Sequence, residues 1–549
     1  MVTLSAFGSV MSQLKKLVHE IHRRSLWQVV PTTPPRWLLT SCFALATLAW
    51  VACGREDSAA SRRSTVTVHI ERADEWLFGP DQADEPMFLV FLPLVQESRE
   101  GEIGGRLAKR WEHSDDYRTW TVHLRTDVRW HDGVPVTAHD IAFTVDLLTH
   151  PDVARVPPDA FSMTVLDDST YAVQVTGKDQ RGVVTPTSTL TLAGLYFPQH
   201  LLKDLDPKEF FSWDFWLQPV GNGPYRYVRH VPKTMVELEA NPDFYLGKPE
   251  IDRVVLKFGG SQLAELSSGN VDVALYVHWM DLLRLADDPR FRAYWWKDTW
   301  VFMGLLWNLS RKPFDDLRVR RALTLAIDRR ELYRTLNLPD DPPVFDGVFT
   351  ERQYWRGQLL EPIPYDPEQA RQLLKQAGWY DVDGDGLRER EGEELRFTAI
   401  VQLTDAINES AAIYVQDQLG RVGVRMELQP LDPSVVRKRK LAGDFDAVIG
   451  EVGTAPRALQ RYFGLESILG YRNPRVVELI DAADQTVNPD ETDAIYTELM
   501  GILRADLPMT ALFPDYEMHL VHRRIRGLST PFRAVPLRHM EELWIEDEQ

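Results

Sequence analysis

Three histidines and several aspartates lie within residues 120–146, where they could form a metal or catalytic centre. His123 lies in a segment of alternating apolar and polar residues, which predicts a strand, and His131 follows in an Asp-Gly turn. His139 lies in the first turn of a predicted helix. No two of these histidines have the i, i+4 spacing that places two imidazoles on one helical face. We therefore predict a structural role for this segment and no metal site.

A second candidate is the acidic segment that begins at Asp381. Together with Asp383 and Asp385, this residue matches the opening of an EF-hand calcium loop. Such a loop ends with a bidentate glutamate at its twelfth position, which is Gly392 here. The segment is therefore predicted to be a surface turn between a helix and a strand.

Motifs of nucleophilic, zinc-dependent or phosphate-binding enzymes do not occur after the N-terminal leader: there is no G-x-S-x-G, H-E-x-x-H or P-loop. Folding could still bring a serine, a histidine and an aspartate together, but no pattern nominates them. We therefore predict a protein that is not an enzyme and needs no cofactor. A secreted hydrolase is the least favoured alternative.

The composition sets limits on the class of protein. The chain has 549 residues, of which 44% are hydrophobic, which is enough for a large core and at least two domains. The formal net charge of −19 argues against nucleic-acid binding and against electrostatic attachment to anionic lipid.

The N-terminal region has the pattern of an export signal. A basic segment is followed by an apolar run at 37–53, which has the length of a signal-peptide core and is short for a membrane span. Ala52 before Cys53 is typical of a bacterial lipobox, although Trp50 stands where leucine is usual. The pattern predicts cleavage before Cys53 and acylation of that residue.

The predicted leader therefore comprises residues 1–52, and a polar tether follows at 53–64. An uncleaved anchor and a plain secretory signal are alternatives, and all three export the protein. The two cysteines of the chain, Cys42 and Cys53, precede the folded part, so neither a disulfide nor a CxxC metal site is expected there.

Helices and strands alternate along the chain, which predicts a mixed α/β protein. Residues 66–70 and 119–125 have strand patterns, and Thr137 and Asp140 form a T-x-x-D helix start. Further along, the apolar spacing predicts helices at 318–336, 366–378 and 409–423, and a strand that contains Val424, Met426 and Leu428.

A set of motifs in this order resembles the extracellular solute-binding proteins of the peptide/nickel type, which serve ABC importers. The motifs extend from about residue 66 to about residue 528, nearly the whole mature chain. The most recognisable block is 105–146, followed by GNGPYRYV at 221–228, residues 240–258, GNVDVAL at 269–275, residues 307–332, residues 365–379, GDFDAVIG at 443–450 and residues 503–513.

This resemblance implies two α/β lobes of the periplasmic-binding-protein type, which close over a ligand, and an extra subdomain on the first lobe at about 106–220. The first lobe would comprise 65–307 and 516–549, and the second lobe 308–515. Ligand would complete its contacts to both lobes on closure and would then be delivered to a membrane permease without chemical change.

The resemblance also implies a departure at the ligand site. Peptide binders of this family commonly place an aspartate, three residues past a tryptophan, against the α-amine of the peptide. Val452 and Ala455 stand at these positions, so a buried ammonium would lack its partner. Glu451 could substitute, Arg457 could select an anionic ligand, or both could be solvated loop residues.

The expected function is that of a monomeric substrate-binding lipoprotein outside the cytoplasm, anchored to the cell membrane through Cys53. It would capture peptides or a similar-sized organic solute for an ABC permease. A ligand sensor of the same fold, not coupled to transport, is the alternative. The expected ligand contacts are aromatic and charged residues chosen by their side-chain type and by the position of their segments. They are Trp279, Trp300, Glu451, Arg457 and Tyr462.

Overall fold

A computed structural model of the chain provides the structure. It describes residues 64–70, 86–97, 103–153, 161–175, 195–285, 287–338, 344–348, 360–403, 406–453, 456–486, 488–528 and 536–546. The predicted signal peptide and Cys53 lie outside the described residues.

The described strands are numbered in chain order. They are β1 (Thr65–Ile70), β2 (Val95–Glu97), β3 (Ile103–Gly105), β4 (Ala108–His113), β5 (Thr119–Leu124), β6 (Phe161–Asp167), β7 (Thr170–Val175), β8 (Tyr225–Val231), β9 (Met235–Ala240), β10 (Arg253–Phe258), β11 (Val273–Ala274), β12 (Phe291–Trp307), β13 (Glu389–Arg390), β14 (Glu393–Glu394), β15 (Arg396–Gln402), β16 (Arg425–Leu431), β17 (Ala447–Gly453), β18 (Met509–His522), β19 (Ile525–Arg526) and β20 (Trp544–Ile545).

The helices lie between these strands. The α-helices are α1 (Met87–Val90), α2 (Ala138–Thr149), α3 (Gln199–Leu202), α4 (Gln262–Ser267), α5 (Trp279–Leu285), α6 (Leu317–Leu325), α7 (Arg329–Thr335), α8 (Pro367–Gln376), α9 (Ala406–Gly420), α10 (Pro433–Leu441), α11 (Pro456–Phe463), α12 (Pro474–Ala483) and α13 (Pro489–Asp506). Short 3₁₀ helices span Pro207–Ser212, Asp214–Leu217 and Pro536–Glu542.

Ten of the described strands form one mixed sheet in the order β16-β15-β17-β12-β18-β11-β1-β10-β9-β8. At one end β15 pairs in parallel with β16 and β17, and near the other end β1 pairs in parallel with β10 and β11. The long antiparallel strands β12 and β18 lie between these two parallel groups. The two groups are thus joined through one pair of strands.

The pairing of β12 with β18 changes register twice, between Lys297 and Phe302 and again between Met303 and Gly304, and the first change is the larger. Lys297 pairs with Tyr516, but the next paired residue of β12 is Phe302, which lies opposite Pro514. Four residues of β12 therefore face a single residue of β18, and such an irregularity bends a strand and increases its twist. We call this place, residues 298–301 with Asp515, the ladder interruption.

The ten-stranded sheet is covered on both faces. Leu305 and Leu306 are neighbours on β12, both are fully buried, and they belong to two different core clusters. Because successive side chains of a strand point to opposite faces, the two clusters lie on opposite sides of the sheet. A third cluster contains Val68 of β1 and Trp120 of β5.

Several predicted elements are confirmed. β1 and β5 lie at the predicted positions, and β5 alternates between buried and accessible residues. Thr137 and Asp140 form the predicted capping box at the start of α2, and Asp366 caps α8 through the N–H of Gln369.

The single helix predicted at 318–336 is wrong, because the structure has two helices there, α6 and α7. α6 ends at Leu325, and the Asp328 side chain accepts a hydrogen bond from the N–H of Glu331 to begin α7. The apolar spacing of a single helix continues through the break. The chain nevertheless begins a second helix, because Asp328 acts as a new N-cap.

A separate four-stranded antiparallel sheet, β4-β5-β7-β6, lies within the predicted subdomain at 106–220. The boundaries of the two lobes and of the subdomain stay predictions, because residues 64–549 form one compact unit. Among the described helices, none combines the length and the apolar character that crossing a bilayer requires.

Candidate functional site

Two of the three histidines of the opening segment have separate structural partners. His123 on β5 has its Nδ1 3.3 Å from the hydroxyl of Thr170, whereas the Nε2 of His139 lies 3.5 Å from a carboxylate oxygen of Asp168. In the described part of the chain, no group of three or more potential metal ligands includes either imidazole.

The third histidine, His131, ties the turn after β5 to the segment before β8. Its Nδ1 accepts a hydrogen bond of 3.2 Å from the N–H of Gly221, so Nε2 carries the proton and donates to the carbonyl of Gly223 at 3.1 Å. Burial lowers the pKa of His131 to about 4, and the hydrogen bond to Gly223 opposes this shift. The neutral ring is thus a structural crosslink, as the spacing predicts.

The acidic segment is the exposed turn that the sequence predicts. The carboxylates of Asp381, Asp383 and Asp385 lie within 4.8 Å of one another. Each accepts a hydrogen bond from a backbone N–H two or three residues further on, at 2.8–3.1 Å. These contacts are the usual ones by which aspartates shape a turn.

The end of β17 lies beside the ladder interruption. Gly453 pairs with Val301 and Glu451 pairs with Met303, so the last residues of β17 lie beside the segment of β12 that is unpaired with β18. Trp300 precedes Val301 on this segment, and its side chain lies outside the described residues. The backbone positions of two predicted ligand contacts, Glu451 and Trp300, are therefore close together on the sheet.

Tyr462 approaches the same strand end from α11. The residue is 4% exposed, and burial raises the pKa of its hydroxyl. Arg461 and the backbone of Gly453 oppose this shift, whereas Glu451 adds to it. Tyr462 thus lies near the end of β17. Arg457 also belongs to α11, but its side chain lies outside the described residues.

A further charged residue at this place, Lys440 of α10, is not among the contacts predicted from the sequence. It is half-buried, and burial lowers the pKa of its ammonium group. Glu451 counteracts this shift and Arg461 adds to it, so the three charged groups interact electrostatically. We call Lys440, Glu451, Arg461 and Tyr462 the β17-end cluster.

The charges of the β17-end cluster are not matched in pairs. Within the described residues, the side chains of Lys440, Glu451 and Arg461 form no ion pair and no hydrogen bond. By contrast, Arg439, the neighbour of Lys440 on α10, forms an ion pair of 3.0 Å with Asp444. A lysine whose pKa is shifted by burial and by nearby charges is a candidate for a functional site.

Trp279, the remaining predicted contact, is the first residue of α5 and is 6% exposed. It belongs to the same core cluster as Met303, the pairing partner of Glu451, and as Phe513 of β18. The structure therefore places Trp279 in the packing beneath one face of the sheet, and a contact with ligand stays a prediction.

Few features of the sequence mark Lys440 or Arg461. Lys440 ends a run of four basic residues, 437–440, which on a helix usually form a solvated face. Only the position of α10 relative to β17 separates Lys440 from its neighbours. No motif marks Arg461. It can be noted from the sequence only because it immediately precedes Tyr462.

Comparisons with known proteins agree with this fold. Residues 102–467 match the profile described as bacterial extracellular solute-binding proteins, family 5 Middle. A putative ABC transporter peptide-binding protein of Brucella ovis is 27% identical over 442 residues, covering 76% of this chain and 80% of that protein. The oligopeptide-binding protein AppA of Bacillus subtilis is 24% identical over 474 residues, covering 80% and 83%.

Among solved structures, NikZ from Campylobacter jejuni in complex with Ni(L-His) has a TM-score of 0.69 at 23% identity. The match covers 88% of this chain and 99% of that one. The predicted fold class, a two-lobed binding-protein fold of the α/β type, is thereby confirmed.

Proposed function

Because the chain belongs to the bacterial extracellular solute-binding proteins of family 5, we propose that it captures a peptide or a similar-sized organic solute and delivers it to an ABC permease. The match over residues 102–467 is the observation that carries this proposal. Proteins of this family are not enzymes, so the secreted hydrolase is no longer an alternative. Delivery and the size of the ligand are supported by the peptide-binding descriptions of the relatives.

The ladder interruption supports a closing motion. Of the contacts that join the two parallel groups of the ten-stranded sheet, the pairing of β12 with β18 is the central one, and it loses its register at 298–301. Bending at this place moves one predicted lobe relative to the other while the ladders on both sides persist. A ligand that contacts both lobes binds the closed form more tightly and shifts the population toward it.

The predicted contacts lie where such a motion would bring groups together. Glu451 on β17 lies beside the ladder interruption, which contains Trp300, and Tyr462 lies near the end of β17. Trp279 and Arg457 complete the proposed set, and their contribution depends on the closed form.

Attachment to the membrane through an acylated Cys53 is the finer part of the proposal. It is supported by the basic and apolar leader and by Ala52 before the cysteine. The family is extracellular, which places the folded part outside the cytoplasm with or without the lipid.

Native mass spectrometry of the chain purified from its own host tests the proposal, because a co-purified solute would appear with its mass. Small-angle scattering is then recorded with that solute and after its removal. We expect a more compact curve with the solute, and chromatography should recover the solute unaltered. Identical scattering curves or a cleaved solute would contradict the proposal.

Transport and sensing are separated by a second measurement. Deleting the gene for this protein should abolish uptake of the labelled solute if the protein feeds a permease. If the deletion strain still takes up the solute but no longer responds to it, the sensor is favoured.

A further inference from the structure

We propose that His539, Glu541 and Glu542 form a structural binding site for one divalent metal ion, and that Zn²⁺ fits it best. All three residues lie in the short 3₁₀ helix Pro536–Glu542, near the C-terminus. Their potential ligand atoms, one from each residue, lie within 4.8 Å of one another. An imidazole and two carboxylates are ligands that zinc commonly takes, and a water molecule would complete its four-coordination.

This site is separate from the proposed ligand contacts. Leu537 and Met540, the apolar neighbours of the three metal ligands, pack in the core cluster that contains Val68. Tyr462, near the end of β17, packs in a different cluster. The metal site therefore goes beyond solute capture and does not depend on it.

A kink in the backbone brings the three side chains together. Residues two positions apart on a helix do not face each other, so a regular helix would separate His539 from Glu541. The backbone of His539 has φ −131° and ψ 29°, which are not helical values. The helix is thus broken at the histidine, and the imidazole ring approaches both glutamates.

The distance between two of the ligands suits a tetrahedral ion. Nδ1 of His539 lies 3.3 Å from a carboxylate oxygen of Glu542. Two ligand atoms of a tetrahedral zinc ion, each about 2.1 Å from the metal, are about 3.4 Å apart. The same separation suits a hydrogen bond between the two groups in the absence of metal, so an ion could enter with little movement of either side chain.

Glu541 is buried, and one of its oxygens is left without a partner. Its side chain is 4% exposed, and Oε1 forms an ion pair with the guanidinium of Arg106. Among the described residues, the buried Oε2 has no hydrogen-bond partner. Such an oxygen is costly, and a metal ion would satisfy it. Arg106 would then fix the orientation of the ligating carboxylate from outside the site.

Gln96 of β2 holds the other side of the imidazole ring. Its amide nitrogen lies 3.2 Å from Nε2 of His539 and donates to the carbonyl of Arg538 at 2.6 Å. A metal ion on Nδ1 would place the ring proton on Nε2, which then needs an acceptor. Rotation of the Gln96 amide would present its oxygen to this proton, and contacts of this kind orient metal-binding histidines.

Glu542 gives the ion a route from solvent. Its side chain is 41% exposed, whereas that of His539 is 5% exposed. Arg106 compensates the charge of Glu541, so the second carboxylate is the one that a cation entering along this route meets first. The buried histidine and Glu541 then close the inner side of the site.

The test uses the full chain without a polyhistidine tag and with Cys42→Ser and Cys53→Ser, because thiolates bind zinc. After dialysis against EDTA, calorimetric titration with zinc sulfate should show saturable binding of one ion per chain. The melting temperature should rise with the zinc concentration, because an ion that binds only the folded state stabilises it. Mg²⁺ should produce neither effect, because it prefers oxygen ligands.

Variants assign the ion to this segment. Glu542→Gln changes an exposed side chain and keeps its shape, and it should weaken zinc binding about tenfold or more, as should His539→Gln and Gln96→Leu. Glu546→Gln is the matched control, because Glu546 is an exposed glutamate of the same segment. Asp383→Asn is the control for the exposed group of three aspartates. Both controls should bind zinc as the parent chain does.

Three results would overturn the inference: no saturable zinc binding, unchanged affinity in Glu542→Gln or in His539→Gln, or loss of binding in Asp383→Asn. Nε of Arg106 also lacks a hydrogen-bond partner within the described part of the chain. If it closes a side-on ion pair with Oε2 of Glu541, this oxygen is occupied and the first of the three results is expected. None of them affects solute capture, which the scattering curves with and without the co-purified solute test independently.

Discussion

Arg329 and Asp346 form an ion pair of 2.6 Å with side chains that are 2% and 3% exposed. The guanidinium also donates to the carbonyls of Phe345 and Ala511 at 2.9 and 3.2 Å, and to that of Ile363 at 2.8 Å. One buried cation therefore connects α7, the segment at 344–348, the chain before α8 and strand β18.

Removing one partner of this pair should destabilise the protein strongly. Asp346→Asn leaves the Arg329 charge buried without its counterion, and we expect a loss of about 3–5 kcal/mol in the free energy of unfolding. Chemical denaturation measures it. The control is Glu331→Gln, because Glu331 forms an exposed pair with Arg334 at 3.3 Å, and it should cost less than about 1 kcal/mol. Equal effects of the two substitutions would contradict the expectation.

The stability of the protein should depend on pH through His131. Its pKa is lowered from 6.5 to about 4 by burial, so between these values the unfolded chain binds the proton and the folded chain does not. Stability is complete above pH 6.5 and is lost as the pH falls toward 4, by up to about 3 kcal/mol. Denaturation at several pH values measures this slope.

His131→Gln should flatten the slope between pH 6.5 and 4, because glutamine does not titrate. His139→Gln is the control, since His139 is a surface residue 3.5 Å from Asp168. A slope that persists in His131→Gln would assign the pH dependence to other groups, such as the buried His519, whose pKa burial lowers to about 3.

Arg457 is the residue through which the sequence predicts selection of an anion. Arg457→Ala should weaken binding of an anionic solute by about tenfold, as expected for a lost charge-assisted contact. Calorimetry provides the affinity, and Arg437→Ala on the exposed side of α10 is the control. An unchanged affinity would make Arg457 a solvated residue of α11 and would remove it from the proposed ligand contacts.

Acylation of Cys53 is tested by labelling with palmitate in the native host. Cys53→Ala should lose the label and shift the protein from the membrane fraction to the soluble fraction, because a single covalent lipid anchor would be absent. Cys42→Ala should keep the label and should stay in the membrane fraction. The reverse result would move the processing site to Cys42.

Local structure follows from the sequence where one short-range signal dominates. The capping box of Thr137 and Asp140 and the N-cap Asp366 predict helix starts that the structure confirms, because each depends on contacts within three residues. The break between α6 and α7 also has a local signal in Asp328 and Glu331. This signal is masked because the apolar spacing on either side continues as if one helix ran through it.

The site is harder to predict, because its members come from distant parts of the chain. Trp300 and Glu451 are 151 positions apart and come to one region of the sheet only through the pairing of β12 with β17. Lys440 has no distinctive neighbours in the sequence, and its role depends on how α10 lies against the sheet. Family resemblance indicates the strand end at Glu451, whereas the unpaired charges become visible only in three dimensions.

The change of register at 298–301 has one more consequence. Peptide units farther along β12 and β18 in both directions are paired in the sheet, so we expect bending to be concentrated in the bonds near the two changes of register. We expect each half of the sheet to rotate as a rigid body about this short segment, which then acts as a flexure. A small displacement beside the flexure is then amplified into a large movement at the far edges of the sheet, so a solute bound there would need to shift its neighbours only slightly.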